Sequence, residues 1–145
     1  MNAVPRASGI GYRWPMQLQP ETDQGGYTIV GHRDGVVQVN GERLSRSFVV
    51  APDRLIRDWP PRQLEELEAA HLTQLVELEP EMVLLGVGDR LRFPHPELLR
   101  PLLERGIGVE VMDTAAACRT YNLLKGDGRR VVAALITAAV AADPA

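Results

Sequence analysis

Between Tyr27 and Val50 the chain alternates short β-branched or aromatic runs with turn residues. Tyr27-Thr28-Ile29-Val30 and Val36-Val37-Gln38-Val39 are such runs, and a third ends at Ser47-Phe48-Val49-Val50. Asp34-Gly35 follows the first run and Asn40-Gly41 follows the second. Both dipeptides favour type I′ turns, because these turns need positive φ at both central residues. The pattern predicts a three-stranded meander.

Between Leu64 and Leu78 the apolar positions follow a helical period. Leucines from Leu64 to Leu78 recur at three and four residues, which predicts a helix that Pro80 ends. Before this helix, Leu55-Ile56 is a candidate for a further short strand.

Three later apolar runs predict buried strands, at Met82–Leu85, Ile107–Met112 and Arg130–Ile136. Helices are predicted between these strands. One begins near Pro96 and is closed by Gly106, since proline suits the first helical position. The other has an N-cap at Asp113-Thr114 and runs through Leu124, with Gly126 as its C-cap.

The resulting order predicts the fold class. An α-β-α-β-α-β succession implies parallel strands joined by right-handed helical crossovers. Together with the meander it predicts a three-layer α/β fold, with a central mixed sheet, helices on one face and a hairpin or meander layer from the N-terminal half. We expect a single domain over residues 26–137, an irregular arm over 1–25 that is rich in Pro, Gly and Gln, and a tail over 138–145.

Composition and charge then narrow the function classes. The 145 residues are 45% hydrophobic and carry a formal net charge of −3, so nucleic acid is not an expected partner. One cysteine excludes an intramolecular disulfide, and three scattered histidines form no metal-ligand set, so neither a metal nor a cofactor is predicted. No apolar stretch reaches the ~20 residues of a membrane span. With no apolar signal segment near Met1, the expected location is the cytoplasm.

Two positions are candidates for a ligand, because open α/β sheets bind ligands outside the carboxyl ends of their parallel strands. Gly86 and Gly88 would let a ligand or another backbone approach closely, although Leu91 stands where a dinucleotide fingerprint has its third glycine. The second position is Asp113-Thr114, where a helix begins with small residues. Its N-terminus can receive an anion, or Asp113 can occupy that place as a cap.

The helix after Asp113 carries further candidates. Tyr121 shares a face with buried positions, so its ring is expected in the core with the hydroxyl at an edge. Arg119 and Asn122 lie on another face and are expected to be exposed to solvent or a partner. Cys118 has no histidine within helical reach and is interpreted as a buried, inert thiol.

Several of these motifs also resemble one protein family. They are Gly86-Val87-Gly88, the run from Gly106 to Thr114, the run from Ala117 to Leu124, and Gly128-Arg129. They resemble a family of small, largely uncharacterised α/β proteins that includes the mitochondrial respiratory complex I assembly factor 3 and an adipogenesis-associated protein. The resemblance implies a three-layer fold with a mixed sheet and brings no agreed enzymatic activity. Val87 stands where the family usually has threonine, which removes a hydroxyl from that loop.

Two functional hypotheses follow and both stay open at this point. In the first, the chain is a protein-binding, assembly-factor-like module that reaches its partner through Arg119, Asn122 and the loop over residues 86–92, with peripheral contact to a membrane complex. In the second, it binds or converts a small molecule in the strand-end crevice, using Gly86, Gly88, Asp113, Thr114, Tyr121 and Asn122. We favour the first because of the family resemblance and because no nucleophile stands beside a base. A homodimer through a sheet edge is compatible with either.

Overall fold

A computed structural model describes residues 26–137, so the predicted arm over 1–25 and tail over 138–145 lie outside the described residues. Eight described strands form two sheets. Three of them build an antiparallel sheet in the order β1-β2-β3, with β1 at Ile29–Arg33, β2 at Val36–Val39 and β3 at Glu42–Leu44. The other five build the central sheet in the order β5-β4-β8-β6-β7. Their bounds are Phe48–Ala51 for β4, Arg54–Ile56 for β5, Met82–Gly86 for β6, Gly108–Met112 for β7 and Val131–Leu135 for β8.

The central sheet is mixed, as predicted. Strand β6 pairs in parallel with β7 on one side and with β8 on the other. Strand β4 pairs antiparallel with β8 and β5. The helices between the parallel strands are α2 (Pro96–Leu103) and α3 (Thr114–Gly126), and α1 (Ala69–Thr73) precedes β6. The three-layer α/β fold class is therefore confirmed.

Alternate residues of the buried strands belong to two separate core clusters, one on each face of the central sheet. On one face Val83, Leu85 and Val132 pack with residues from α1, α2 and the turns around α1. On the other face Leu84 and Leu135 pack with the β1-β2-β3 sheet and with α3. Helix α3 thus lies in the meander's layer, while α1 and α2 cover the opposite face. Helices therefore lie on both faces of the central sheet, and the expected confinement of all helices to one face is wrong, because the meander leaves room for α3 beside it.

The helix predicted over Leu64–Leu78 is wrong as a continuous element. The segment divides into a 3₁₀ turn at Leu64–Glu66, helix α1 and a second 3₁₀ turn at Gln74–Leu78. The break comes at Leu67 and Glu68, whose backbones are extended, with ψ of 131° and 158°. Glu68 then caps α1 through a reciprocal pair of bonds with His71. The helical spacing still marked the correct inward face, since Leu67, Leu72, Leu75 and Leu78 are buried.

The third strand of the meander also differs from the prediction. The strand that follows Asn40-Gly41 is β3, and the run ending at Val50 is β4 of the central sheet. Asp34 and Gly35 both have positive φ, as a type I′ turn requires, whereas only Asn40 does at the second turn.

The end of α3 lies slightly beyond its predicted cap. Gly126 is the last helical residue and Asp127 takes the cap position. Gly128 has the left-handed φ of 79° that ends the helix. Glycine suits this place because it adopts positive φ without a steric penalty.

Candidate functional site

The predicted strand-end crevice at Gly86 is filled by the protein itself. Gly86 ends β6 and is buried. A Cβ atom built on it would lie 2.8 Å from Leu135 Cδ2 and 3.1 Å from Thr114 Cα. The missing side chain therefore lets α3 approach the sheet, and the space beside Gly86 belongs to core packing.

The hydroxyl of Thr114 closes the same place with hydrogen bonds. Thr114 Oγ1 donates to Ile136 O at 2.7 Å and accepts from Gly88 N at 2.9 Å. The backbone N–H of Thr114 donates to Gly88 O, also at 2.9 Å. Thr114 is buried, so these bonds fix the loop after β6 to the start of α3. The loop after β6 is therefore held by the hydroxyl of Thr114. Val87, which lies in this loop and has no hydroxyl, packs into the core.

Asp113 acts as the N-cap of α3. Its Oδ1 accepts a hydrogen bond from Ala116 N at 2.8 Å. The predicted cap is confirmed, and the carboxylate occupies the position where an anion would otherwise meet the helix N-terminus.

Tyr121 and Asn122 join α3 to the meander. The hydroxyl of Tyr121 donates to Tyr27 O at 2.8 Å, and the ring is fully buried. Burial raises the pKa of the Tyr121 hydroxyl well above its usual value, so the group remains a neutral donor. Asn122 accepts from Ile29 N at 3.0 Å and donates to Ile29 O at 2.6 Å. The expectation that Asn122 is exposed is therefore wrong: it is half-buried, because its amide pairs with the backbone of β1.

Arg119 is exposed, as expected, and the two contacting elements α3 and β1 each carry a large exposed apolar side chain. Leu123 lies one helical turn further along α3 and is 67% exposed. Val30 is 61% exposed and follows Ile29, the residue that Asn122 binds. Within the described residues Arg119 has no carboxylate at ion-pair distance. We call Val30, Arg119 and Leu123 the α3–β1 surface.

Cys118 lies on the buried side of α3. Burial raises the pKa of its thiol from 9.0 to about 12. A thiol in this state is protonated at neutral pH and is a poor nucleophile. The interpretation of Cys118 as an inert core residue agrees with this environment.

Two further features concern only residues 26–137. No group of three or more His, Cys, Asp or Glu side chains in this range is arranged to hold a metal ion. None of the helices in this range has the length and apolar composition of a membrane span.

An open groove lies at the same end of the central sheet as the crevice, beside the end of β8. Its volume is about 310 Å³. We call it the Trp59 groove, and its lining consists of Arg46, Ser47, Asp58, Trp59, Pro60, Arg62 and Thr137. This groove was not predicted from the sequence, because its lining residues come from three separated segments. The one available signal was Arg46, which belongs to a small basic spot with Arg43.

Comparison with known proteins finds a matching family model and solved structures with a similar fold. Residues 29–136 match the family model described as a protein of unknown function (DUF498/DUF598). A crystal structure of a Bordetella parapertussis protein is 42% identical, with a TM-score of 0.74, and the match covers 78% of this chain and 97% of that one. A solution structure of a Bordetella pertussis protein, described as a Mth938-like domain, is 34% identical with a TM-score of 0.72. That match covers 85% of this chain and 93% of the other.

A curated relative carries a functional name. NADH dehydrogenase (ubiquinone) 1 alpha subcomplex assembly factor 3 from Bos taurus is 37% identical over 100 residues. The match covers 68% of this chain, and the chain spans only 54% of the bovine protein's length. The family resemblance drawn from the glycine motifs and the Asp113–Leu124 region is thereby confirmed. The chain belongs to the DUF498/DUF598 family of proteins of unknown function.

Proposed function

We propose that this chain is a protein-binding module that assists assembly of a respiratory NADH dehydrogenase. The observation that carries the proposal is the 37% identity to the bovine assembly factor over 68% of this chain. The contacts of the candidate residues support it. The side chains of Thr114, Tyr121 and Asn122 donate hydrogen bonds to backbone carbonyl groups of this chain. The small-molecule hypothesis loses support, because Leu135 and Thr114 fill the crevice at Gly86.

The α3–β1 surface is the proposed contact with the partner. Leu123 and Val30 offer apolar area, and Arg119 supplies a cation without a carboxylate partner in the described residues. Such a surface fits a subunit that presents an apolar patch with an Asp or Glu beside it. Asn122 stays part of the proposal as the group that holds β1 against α3, so that Val30 and Leu123 keep their relative position.

The cellular setting is part of the same proposal. We place the chain in the cytoplasm, in peripheral contact with a membrane complex that is being assembled. Among residues 26–137, strand β7 pairs with β6 alone and ends the central sheet, so we propose its outer edge as the contact with a second copy in a homodimer. Cell fractionation and the mass of the purified chain in solution test these two points separately.

The central experiment uses a strain that lacks the gene, complemented with variants of the full chain. Arg119→Ala/Leu123→Ser removes the charge and the apolar side chain of the α3–β1 surface. Arg43→Ala/Leu103→Ser is the matched control, because Arg43 and Leu103 are exposed elsewhere. Native gels of the membranes report the amount of assembled NADH dehydrogenase, and a photo-crosslinker at position 123 or 103 identifies contacting subunits.

We expect the control to restore assembly and the α3–β1 variant to leave the complex incomplete. We also expect a subunit of the complex to crosslink from position 123 and not from 103. Normal assembly in the strain without the gene would refute the assembly function. Full complementation by the α3–β1 variant, with deletion still harmful, would refute the surface and leave the function standing.

A further inference from the structure

The Trp59 groove is lined by two buried residues, Trp59 and Ser47, whose side-chain donors have no acceptor in the described part of the chain. Trp59 is buried, and its indole Nε1 has no hydrogen-bond partner, the single such buried side-chain nitrogen or oxygen in the described part of the chain. The hydroxyl of Ser47, which is also buried, accepts from Thr137 N at 3.3 Å and donates no bond within residues 26–137. A buried donor without an acceptor is uncommon, because losing water without a replacement bond is costly.

Two guanidinium groups add positive charge to the groove. Arg46 pairs with Asp58 at 3.7 Å, and both side chains are more than three-quarters exposed, so this contact holds Arg46 only weakly. Arg62 uses its backbone N–H to bind Glu66, and its guanidinium has no ion-pair partner in the described residues. The lining therefore carries two cations against the single carboxylate of Asp58.

The groove's position and shape suit a ligand. Trp59 follows β5, Ser47 precedes β4 and Thr137 follows β8, so the groove lies where the parallel strand β8 ends. Ligands of α/β proteins bind outside this end of the sheet. Trp59 and Pro60 supply an apolar wall. A volume of about 310 Å³ matches the lower end of small-molecule pockets.

From the unused donor of Ser47, the two guanidinium groups and the apolar wall, we propose that the Trp59 groove binds a small organic oxyanion. The ligand is a carboxylate or phosphate joined to a flat or apolar body. Its oxygens accept from Arg46, Arg62 and Ser47, and its body lies against Trp59 and Pro60. This site is separate from the α3–β1 surface and does not depend on the assembly function.

The test titrates the intact chain with three probes at constant ionic strength: inorganic phosphate, benzoate and phenyl phosphate. The chain has two tryptophans, so Trp14→Phe leaves Trp59 as the only indole. Its fluorescence and the NMR signal of its Nε1–H report occupation of the groove. We expect a saturable change at millimolar phenyl phosphate or benzoate, and weaker binding of inorganic phosphate, which lacks an apolar body.

Two charge-matched variants separate a built site from general attraction of anions. Arg46→Gln/Arg62→Gln removes both cations of the groove, and we expect its affinity to fall by ~10-fold or more. Arg33→Gln/Arg43→Gln makes the same change in net charge on the meander, at exposed arginines, and should bind like the parent. Equal affinity of the two double variants, or no saturable change with any probe, would overturn the proposal. Equal affinity for phosphate and phenyl phosphate would overturn the role given to Trp59 and Pro60.

Discussion

The carboxamide of Asn122 pairs with both backbone polar groups of Ile29, a residue 93 positions earlier in the chain. Its Oδ1 accepts from Ile29 N at 3.0 Å and its Nδ2 donates to Ile29 O at 2.6 Å. The Asn122 side chain therefore hydrogen-bonds to the backbone of β1 in the way that a neighbouring strand does elsewhere in a sheet. Asn122 and the hydrogen bond from Tyr121 to Tyr27 together hold the meander against α3.

Asn122→Ala should destabilise the fold, because it leaves the N–H and C=O of Ile29 without partners. These groups are half-buried, so we expect the free energy of unfolding to fall by about 1–3 kcal/mol. Denaturant unfolding of the purified variant measures this loss. Arg119→Ala is the control, since its side chain is exposed, and it should change stability by less than about 0.5 kcal/mol. Equal stability of the two variants would contradict the structural role of Asn122.

Thr114→Val tests the hydroxyl that joins the loop after β6 to α3. Valine keeps the shape of the side chain but leaves Gly88 N and Ile136 O without this partner in a buried place. We expect a loss of about 2–4 kcal/mol in the free energy of unfolding. Thr114→Ser retains the hydroxyl and should recover most of that loss. If valine and serine behave alike in denaturant unfolding, the hydrogen bonds of Thr114 do not stabilise the loop.

Local patterns predicted the parts of the fold that depend on neighbours in sequence. Asp113 was identified as a cap because its partner, Ala116, lies three residues away. The apolar run at Met82–Leu85 predicted a buried strand because both of its faces are covered. The division of Leu64–Leu78 was missed, since its leucine spacing fits a helix and the break at Leu67 comes from tertiary packing.

The candidate site was harder to predict because its contacts are distant in sequence. Asn122 looked exposed on a helical wheel, and only the fold places Ile29 beside it. Gly86 was correctly identified as a point of close approach, but the approaching group is Thr114 of this chain. The members of the Trp59 groove run from Arg46 to Thr137, and no spacing rule connects them.

Gly86→Ala should destabilise the protein by overpacking. The new methyl group would meet Leu135 Cδ2 at 2.8 Å and the backbone of Thr114 at 3.1 Å, and the backbone cannot move without shifting α3. We expect a cost of about 1–3 kcal/mol. Gly41→Ala is the matched control, because a Cβ there meets nothing within 4 Å and its φ is not positive. Thermal unfolding of both variants measures the difference, and a harmless Gly86→Ala would show that this contact has room to relax.

The environment of Cys118 predicts a pH dependence of stability. Burial raises the pKa of the thiol from 9.0 to about 12 in the folded chain, while the unfolded chain keeps the ordinary value. The stability that comes from a neutral buried thiol is therefore fully present below about pH 9 and is lost as the pH rises toward 12. Each pH unit in that window costs up to about 1.4 kcal/mol.

Cys118→Ala lacks this ionisation and isolates its contribution. It should be less stable than the parent at pH 7, because it leaves space in the core, and the difference should shrink as the pH rises from 9 to 10. Urea unfolding at a series of pH values measures the difference, and Tyr121, whose pKa is also raised, is present in both proteins and cancels. The folded parent should also resist alkylation by iodoacetamide at pH 7. Rapid alkylation under native conditions, or a difference that is constant with pH, would show that the thiol reaches solvent in the folded protein.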